Sequence, residues 1–590
     1  MSKTVRIGGA SAFWGDTDTA AGQLMQGEGV DYLVFDYLAE VTMSLMAGAR
    51  LKNPQLGYAP DFVQTLKPLL KDIAARGTRV IANAGGVNPL ACRDALEAAC
   101  REAGVDLPVA VVLGDDLMPT VETLRAGGLK EMFTGAPLPK RLLSMNAYLG
   151  GRPIAKALDE GARIVVTGRC VDSAVVLGPL MHEFGWKDDD YDRLAAGSLC
   201  GHVLECGAQA TGGNFTDWRD IESYETIGFP IAECAADGSF VVTKPPGTGG
   251  MVTPATVGEQ MLYEVGDPRA YLLPDVAADF ADVRISQIGK DRVKVEGAKG
   301  RAPTATFKVS ATHIDGFKSV AGLLVAGTGA AEKGRKMAEA IIARTRARFR
   351  ASNLGDYRAV EINAVGAESL YGPRARTDSR EVVMKIGTHH DEKAALEIFA
   401  REIAPFATGS VPGITGFMRG RPKAEPMIRL FSCLVPKDTI KIEVRIGDKV
   451  FPVAVPTKGG YVPAPAPAPT PTALPDGARV EVPLVALAWA RSGDKGDSAN
   501  IGVMARRPEY AAAIREQVTD AAVKDWFAHL CKGKVTRYDV PGVSGFNFLL
   551  EESLGGGGIS SLRTDTQAKT YAQILLDMPI KVPTSWNVKA

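Results

Sequence analysis

The densest run of chemically capable side chains is 198–214, Ser-Leu-Cys-Gly-His-Val-Leu-Glu-Cys-Gly-Ala-Gln-Ala-Thr-Gly-Gly-Asn. As a helix over 200–210, it places His202, Glu205, Cys206 and Gln209 at i, i+3, i+4 and i+7, on one face. That face carries a base, an acid, a thiol and an amide. A histidine beside a carboxylate moves protons near neutral pH, and the thiol adds a nucleophile. Thr211-Gly212-Gly213-Asn214 would end the helix and turn backbone N–H groups toward an anion. The competing reading is structural, a partly buried helix whose polar groups bond neighbouring loops.

Two further segments suggest anion binding. In 244–256, Lys-Pro-Pro-Gly-Thr-Gly-Gly-Met-Val-Thr-Pro-Ala-Thr, the residues Gly247, Thr248, Gly249, Gly250 and Thr253 precede a helical stretch running to 264. Glycine there lets N–H groups face a phosphate or carboxylate, and the helix end adds a positive dipole. In 491–502 the residues Arg491, Asp494, Lys495 and Asn500 read as a charged loop after a strand at 482–490, and Arg563 lies in the segment 560–565 that leads into a later helix at 565–577. No metal is expected, because Cys200, His202 and Cys206 match no recurring zinc spacing. His389-His390-Asp391 reads as a solvated loop end. The glycines at 8–9 fit no GxGxxG pattern and GxxxxGK[ST] is absent, so no nucleotide or redox cofactor is expected.

These groups need a scaffold, and the first region supplies a recurrent one. Five short apolar runs, at 5–7, 32–35, 80–82, 109–113 and 164–166, each end on Gly, Asn, Asp or Thr-Gly before a helical stretch. The polar residues at these ends include Asp36, Asn83, Gly85, Gly86, Asn88, Asp115, Arg169, Asp172 and Ser173. Such grammar predicts an α/β region with a parallel sheet covered by helices on both faces, and its ligands bind outside the carboxyl ends of the strands.

The full chain has 590 residues, enough for three or four structural units. We expect an α/β region over 1–225 and a second α+β region over 226–456, where short β-branched runs take over. A Pro-Ala linker in extended polyproline form follows over 457–479, and then a small α+β domain over 480–590. In that domain the expected order is strand, helix 508–530, strands 534–540 and 545–551, and helix 565–577. The 68 Lys+Arg balance 68 Asp+Glu, which disfavours nucleic acid and anionic membrane as partners. The eight cysteines lack the spacing of a stapled secreted module, and no apolar stretch is long enough to span a bilayer. A cytoplasmic address with reduced thiols is expected.

Five motifs together resemble the acyclic terpene utilisation protein A (AtuA) family. They are Asn-Ala-Gly-Gly-Val-Asn-Pro at 83–89, Thr-Gly-Arg-Cys-Val-Asp-Ser at 167–173, Gly-Ala-Gln-Ala-Thr-Gly-Gly-Asn at 207–214, Lys-Pro-Pro-Gly-Thr-Gly-Gly-Met-Val-Thr-Pro at 244–254 and Arg-Ser-Gly-Asp-Lys-Gly-Asp-Ser-Ala-Asn at 491–500. The resemblance implies a core followed by a ferredoxin-like domain, in a bacterial protein for breakdown of citronellol- and geraniol-type terpenes or related branched acids. Its neighbours there would be acyl-CoA dehydrogenases, hydratases and a biotin-dependent carboxylase.

The reading that joins these strands is a hydratase or lyase acting on a branched acyl-CoA or its free acid by general acid/base catalysis. His202 or Glu205 moves the proton α to the carbonyl, Asp36, Asp115 or Asp172 positions water or hydroxyl, and 247–250 with Arg491 and Lys495 holds anionic groups. Cys206 as nucleophile is the variant. The alternative is a non-catalytic acyl-CoA carrier or a scaffold for acyl-CoA carboxylase subunits. A homo-oligomer is also expected.

Overall fold

A computed structural model describes residues 3–376, 379–418, 420–465 and 474–588. Its first element, β1 (Thr4–Gly9), lies parallel to β2 (Tyr32–Phe35), which lies parallel to β3 (Arg79–Ala82). The chain then runs through β4 (Val109–Leu113) and β5 (Ser144–Ala147) before β6 (Ile164–Thr167) inserts between β3 and β4. All five expected strands are therefore present, in parallel order β1-β2-β3-β6-β4.

Alternation of side chains assigns the two faces. Leu33, Phe35, Val80, Ala82 and Val166 enter one core with the helices Glu40–Lys52, Pro60–Leu66 and Pro89–Ala103. Tyr32, Val34, Ile81 and Val165 enter the other, with Arg152–Asp159, Ala174–Phe184 and Tyr191–Glu205. Strands buried on both faces explain the unbroken apolar runs of the sequence.

The division expected at 225/226 falls inside this sheet. The strand β7 (Ile231–Ala235) pairs antiparallel with β1, and β8 (Phe240–Thr243) extends the sheet to Arg292–Glu296 and Arg284–Gly289. On the other side Ile442–Ile446 pairs antiparallel with β4. The change in periodicity marks a change from parallel to antiparallel pairing, not a new body. A second sheet is built on one long strand, Thr306–Ala326, which pairs with Glu381–His390, Glu425–Pro436 and β5. The helices Ala330–Ala351 and Lys393–Ile403 pack on it.

The C-terminal domain is a four-stranded antiparallel sheet ordered Ala488–Lys495, Ser498–Ala505, Gly545–Leu550, Val535–Val540. The stretch 491–502, expected as a loop, is instead the tip of a hairpin, with Lys495 opposite Ser498 and Gly496 at positive φ. Its Arg491 misled because that charge is matched by the buried Glu259 of the facing core, whereas Lys495 at the tip stays exposed. The single helix expected at 508–530 is two, Tyr510–Gln517 and Asp520–Trp526, with Thr519 capping the second by accepting from Ala522 N at 3.1 Å. The helix expected at 565–577 shortens to Tyr571–Leu576, because Asp565 collects the N–H groups of Gln567, Lys569 and Thr570 into a turn. Residues 457–465 carry neither helix nor strand, and Tyr461 N donates to Pro303 O at 3.2 Å. The remainder of the expected polyproline run, 466–473, lies outside the described residues.

Docking of this domain onto the core is polar and buried. Arg491 Nη2 donates to Glu259 Oε2 at 2.8 Å and to Gly213 O at 3.0 Å, while its Nη1 donates to Gln209 Oε1 at 2.7 Å. Asn500 Nδ2 donates to Leu262 O at 2.7 Å, and its Oδ1 accepts from Glu264 N at 2.8 Å. Arg506 holds Asp217 through two bonds of 2.6 Å. Removing one partner of a buried pair strands the other charge, so Arg491→Met is expected to lower stability by about 3–5 kcal/mol. Urea unfolding of the full chain measures this, and a change below about 1 kcal/mol, the range of an exposed pair, would show that the tie is dispensable.

Candidate functional site

The site forms where the helix Tyr191–Glu205 reaches the carboxyl ends of β1, β2 and β6. Two glycines allow that approach: a Cβ at Gly201 would meet Ser173 Cα at 2.6 Å, and one at Gly9 would meet Leu204 O at 2.8 Å. The glycine pair after β1 thus serves close packing. The consequence is that Glu205 reaches Asp36 and Asp172, and carboxylate oxygens of the three lie within 4.8 Å of one another.

Each carboxylate is held from behind. Asn83 Nδ2 donates to Asp36 Oδ1 at 2.6 Å, and Asn83 Oδ1 accepts from Tyr37 N at 2.7 Å, which fixes the amide's orientation. Arg169 Nη1 donates to Asp172 Oδ1 at 2.7 Å, and His202 Nδ1 stands 2.9 Å from Glu205 Oε1. Asp36 and Glu205 are buried, whereas the Asp172 side chain is 37% exposed and opens the cluster to solvent. Burial, then the neighbouring Asp172 charge, pushes the Asp36 carboxyl well above its usual range. Burial also raises Glu205, against the pull of His202. For His202 burial works downward, but the Glu205 charge prevails and the imidazole is raised. Like charges this close cannot all ionise, so the cluster retains a proton or takes up a cation. Three carboxylates also make a donor set for a divalent ion. The expectation of no metal came from cysteine and histidine spacing, which cannot register carboxylates drawn from three separate segments.

Several expected site residues are placed behind this cluster. His202 is wholly buried between Tyr271 and Phe280, with ring centroids 5.7 and 6.4 Å away, so it faces Glu205 and not the solvent. Asp115 accepts from Arg169 N at 2.8 Å and Asn146 Nδ2 at 2.9 Å, and so positions the Arg169 loop. Ser173 is the buried seat of Gly201. Cys206 does not suit a nucleophile, since burial and then Glu205 and Glu264 drive its thiol well above the ordinary value.

The remaining expected ligand-binding residues separate into scaffold and rim. Gly85 N donates to Thr167 O at 2.9 Å, Gly86 packs on Met46, and Asn88 clips Pro54 O and Leu56 O. Thr211 Oγ1 donates to Gly228 O, Gly212 adopts positive φ in a turn, and Asn214 Nδ2 reaches Gln209 at 3.2 Å. The anion loop expected at 247–250 is closed: Gly249 N, Gly250 N and Met251 N donate to Thr226 O, Glu222 O and Thr211 O. Lys244 Nζ takes Thr248 O, and Thr253 caps the helix Pro254–Leu262. Arg491, Gln209, Gly213 and Asn500 dock the C-terminal domain, and Arg563 bonds Ser553 O, so none of these is open to an anion. Lys495 is different. It is exposed, beside the partly exposed Asp494, and its Nζ lies 5.4 Å from the centre of the Tyr271 ring that packs on His202. Sequence reasoning missed Tyr271 and Lys569, whose Nζ sits 4.3 Å over Tyr263; neither lies in a motif. Cavities of about 450 and 460 Å³ occur elsewhere, one against the long strand and one beside His182, and no residue of the carboxylate cluster lines either.

Comparison with known families gives two matches in register with this architecture. The profile of the acyclic terpene utilisation family protein AtuA covers residues 5–446, and that of the AtuA ferredoxin-like domain covers 482–581. The chain belongs to the AtuA family. Both the large sheets and the docked C-terminal domain are therefore AtuA architecture, and the protein takes part in acyclic terpene utilisation. The curated proteins offer no match to the chain. Among the described residues no helix is long and apolar enough to cross a membrane.

Asp115 gives this AtuA site a measurable pH dependence. Burial pushes its carboxyl up to about 7, against the hydrogen bonds from Arg169 and Asn146. A raised acid pKa contributes stability that is fully present below the unfolded value, near 4, and is lost as pH rises through the folded one. Relative to Asp115→Asn, the native protein should therefore lose about 1.4 kcal/mol per pH unit between roughly pH 4 and the folded value. Parallel unfolding curves from pH 4 to 8 read the difference, and a flat one would place the ionised form in the fold at all these values.

Proposed function

We propose that this AtuA protein is a lyase or hydratase acting on a branched acyclic acid, as its acyl-CoA thioester or free carboxylate. The observation that supports it best is the convergence of Asp36, Asp172 and Glu205 at the strand ends. Addition or removal of water across a carbon–carbon bond needs a base for the proton α to the carbonyl. It also needs a group that delivers or receives the β-hydroxyl.

Glu205 is the base. It accepts the α-proton, and the charge of the His202 imidazolium 2.9 Å behind it favours the carboxylate. Asp36 and Asp172 hold the hydroxyl between them. In dehydration the electron pair of the C–H bond becomes the new π bond, the β C–O bond breaks, and a proton carried at Asp36 leaves with the oxygen as water; hydration is the reverse. Lys495 at the exposed rim supplies a cation for the substrate's carboxylate or thioester carrier.

Purified protein incubated with a panel of branched acyl-CoA esters and their free acids, read by mass spectrometry, should yield a product shifted by water or cleaved to a smaller acid. Glu205→Gln should lower turnover at least about 100-fold with an unchanged thermal midpoint. The pH–rate profile should be bell-shaped, rising as Glu205 ionises and falling as Asp36 loses its proton. Retention of a ligand with no conversion across the panel would favour an acyl carrier instead.

A further inference from the structure

The carboxylate cluster is built asymmetrically. In each acid one oxygen faces a donor outside the cluster: Asp36 Oδ1 faces Asn83, Asp172 Oδ1 faces Arg169 and Glu205 Oε1 faces His202. The described hydrogen bonds to the side chains of these acids fall on Asp36 Oδ1, from Asn83 and Leu38 N, and on Asp172 Oδ1, from Arg169. Outer donors that orient carboxylates while leaving one oxygen of each open are the usual support of metal-ligating acids.

His202 is a separate sign. Its side chain is fully buried, and its Nδ1 lies 2.9 Å from Glu205 Oε1 without the alignment of a hydrogen bond, while Nε2 has no partner among the described residues. A buried imidazole without hydrogen bonds is costly, and it gains a bond once Glu205 is drawn into a fixed, ionised position.

We propose that Asp36, Asp172 and Glu205 bind one divalent cation of the hard, oxygen-preferring class, Mg²⁺ or Mn²⁺, with water completing its shell. Oxygens at about 2.1 Å in an octahedral shell stand roughly 3–4 Å apart, so an arrangement within 4.8 Å closes onto the ion by small side-chain rotations. An all-carboxylate set suits this class, whereas imidazole and thiolate are the usual ligands of zinc and copper. The role of the ion rests on the reading of this cluster as the reacting centre: with the ion bound, Asp36 would be an ionised ligand, and the ion in its place would polarise the β-hydroxyl and ease departure of its oxygen.

The test is Mn²⁺ titration of the full-length, chelator-stripped protein, followed by calorimetry and by loss of the free-ion electron paramagnetic resonance signal. One Mn²⁺ per chain is expected, displaced by Mg²⁺, with affinity at least tenfold weaker in Asp172→Asn and in Glu205→Gln. Asp172 is partly exposed, so its variant is expected to fold, and an Mn²⁺-dependent rise in the thermal midpoint of the native protein provides a readout without any variant. Absence of saturable binding, or equal affinity in both variants, overturns the proposal. Turnover that persists undiminished in chelator also overturns the ion while leaving the proposed function standing. Binding with no turnover on the panel does the reverse.

Discussion

Repulsion among three acids held within 4.8 Å is the constraint around which this molecule is arranged. Carboxylates so close come together only if the surrounding structure over-determines them. Here the positions are set by rigid parts: Asp36 follows β2, Asp172 follows β6, and Glu205 ends a helix seated on Gly9 and Gly201. Asn83 and Arg169 then clamp one oxygen of Asp36 and of Asp172, and the His202 ring stands 2.9 Å from one oxygen of Glu205. Behind the clamps stand Tyr37 N on Asn83, Asp115 on the Arg169 backbone, and the Tyr271 and Phe280 rings around His202.

The C-terminal domain is tied into this arrangement. Its hairpin lies on the helix Pro254–Leu262, and the tie through Arg491, Glu259 and Gln209 draws on residues from three distant parts of the chain. Because Gln260 from the same helix donates to His202 O at 2.9 Å, docking of the hairpin and placement of the histidine share one element. The hairpin also carries Lys495 to the Tyr271 ring. The domain thereby places an exposed lysine beside the ring that packs on His202.

Much of the frame was legible in the residues. Apolar runs ending on Asp36, Asn83, Asp115 and the Thr-Gly-Arg of β6 announced parallel strands, since only strands buried on both faces read that way. The helical register of His202 and Glu205 was legible too, and their side chains do meet. The glycine-rich segments were misleading. Glycine at 247–250 signals close approach equally well whether the neighbour is a phosphate or the chain's own carbonyls, and here Glu222, Thr226 and Thr211 take the N–H groups. Arg491 looked like an anion binder because its type is visible in the sequence and its buried partner Glu259 is not.

The sequence by itself determined the family, the parallel sheet, the separate ferredoxin-like tail and the acids at the strand ends, because each of these follows from local periodicity or contiguous motifs. Only the tertiary structure decided which acids meet, which cations are already bound within the fold, and that β7 and β8 extend the first sheet. Those facts depend on contacts between residues up to hundreds of positions apart, such as Gln209 with Arg491 or Asp36 with Glu205, and no local pattern carries the sign of its distant partner.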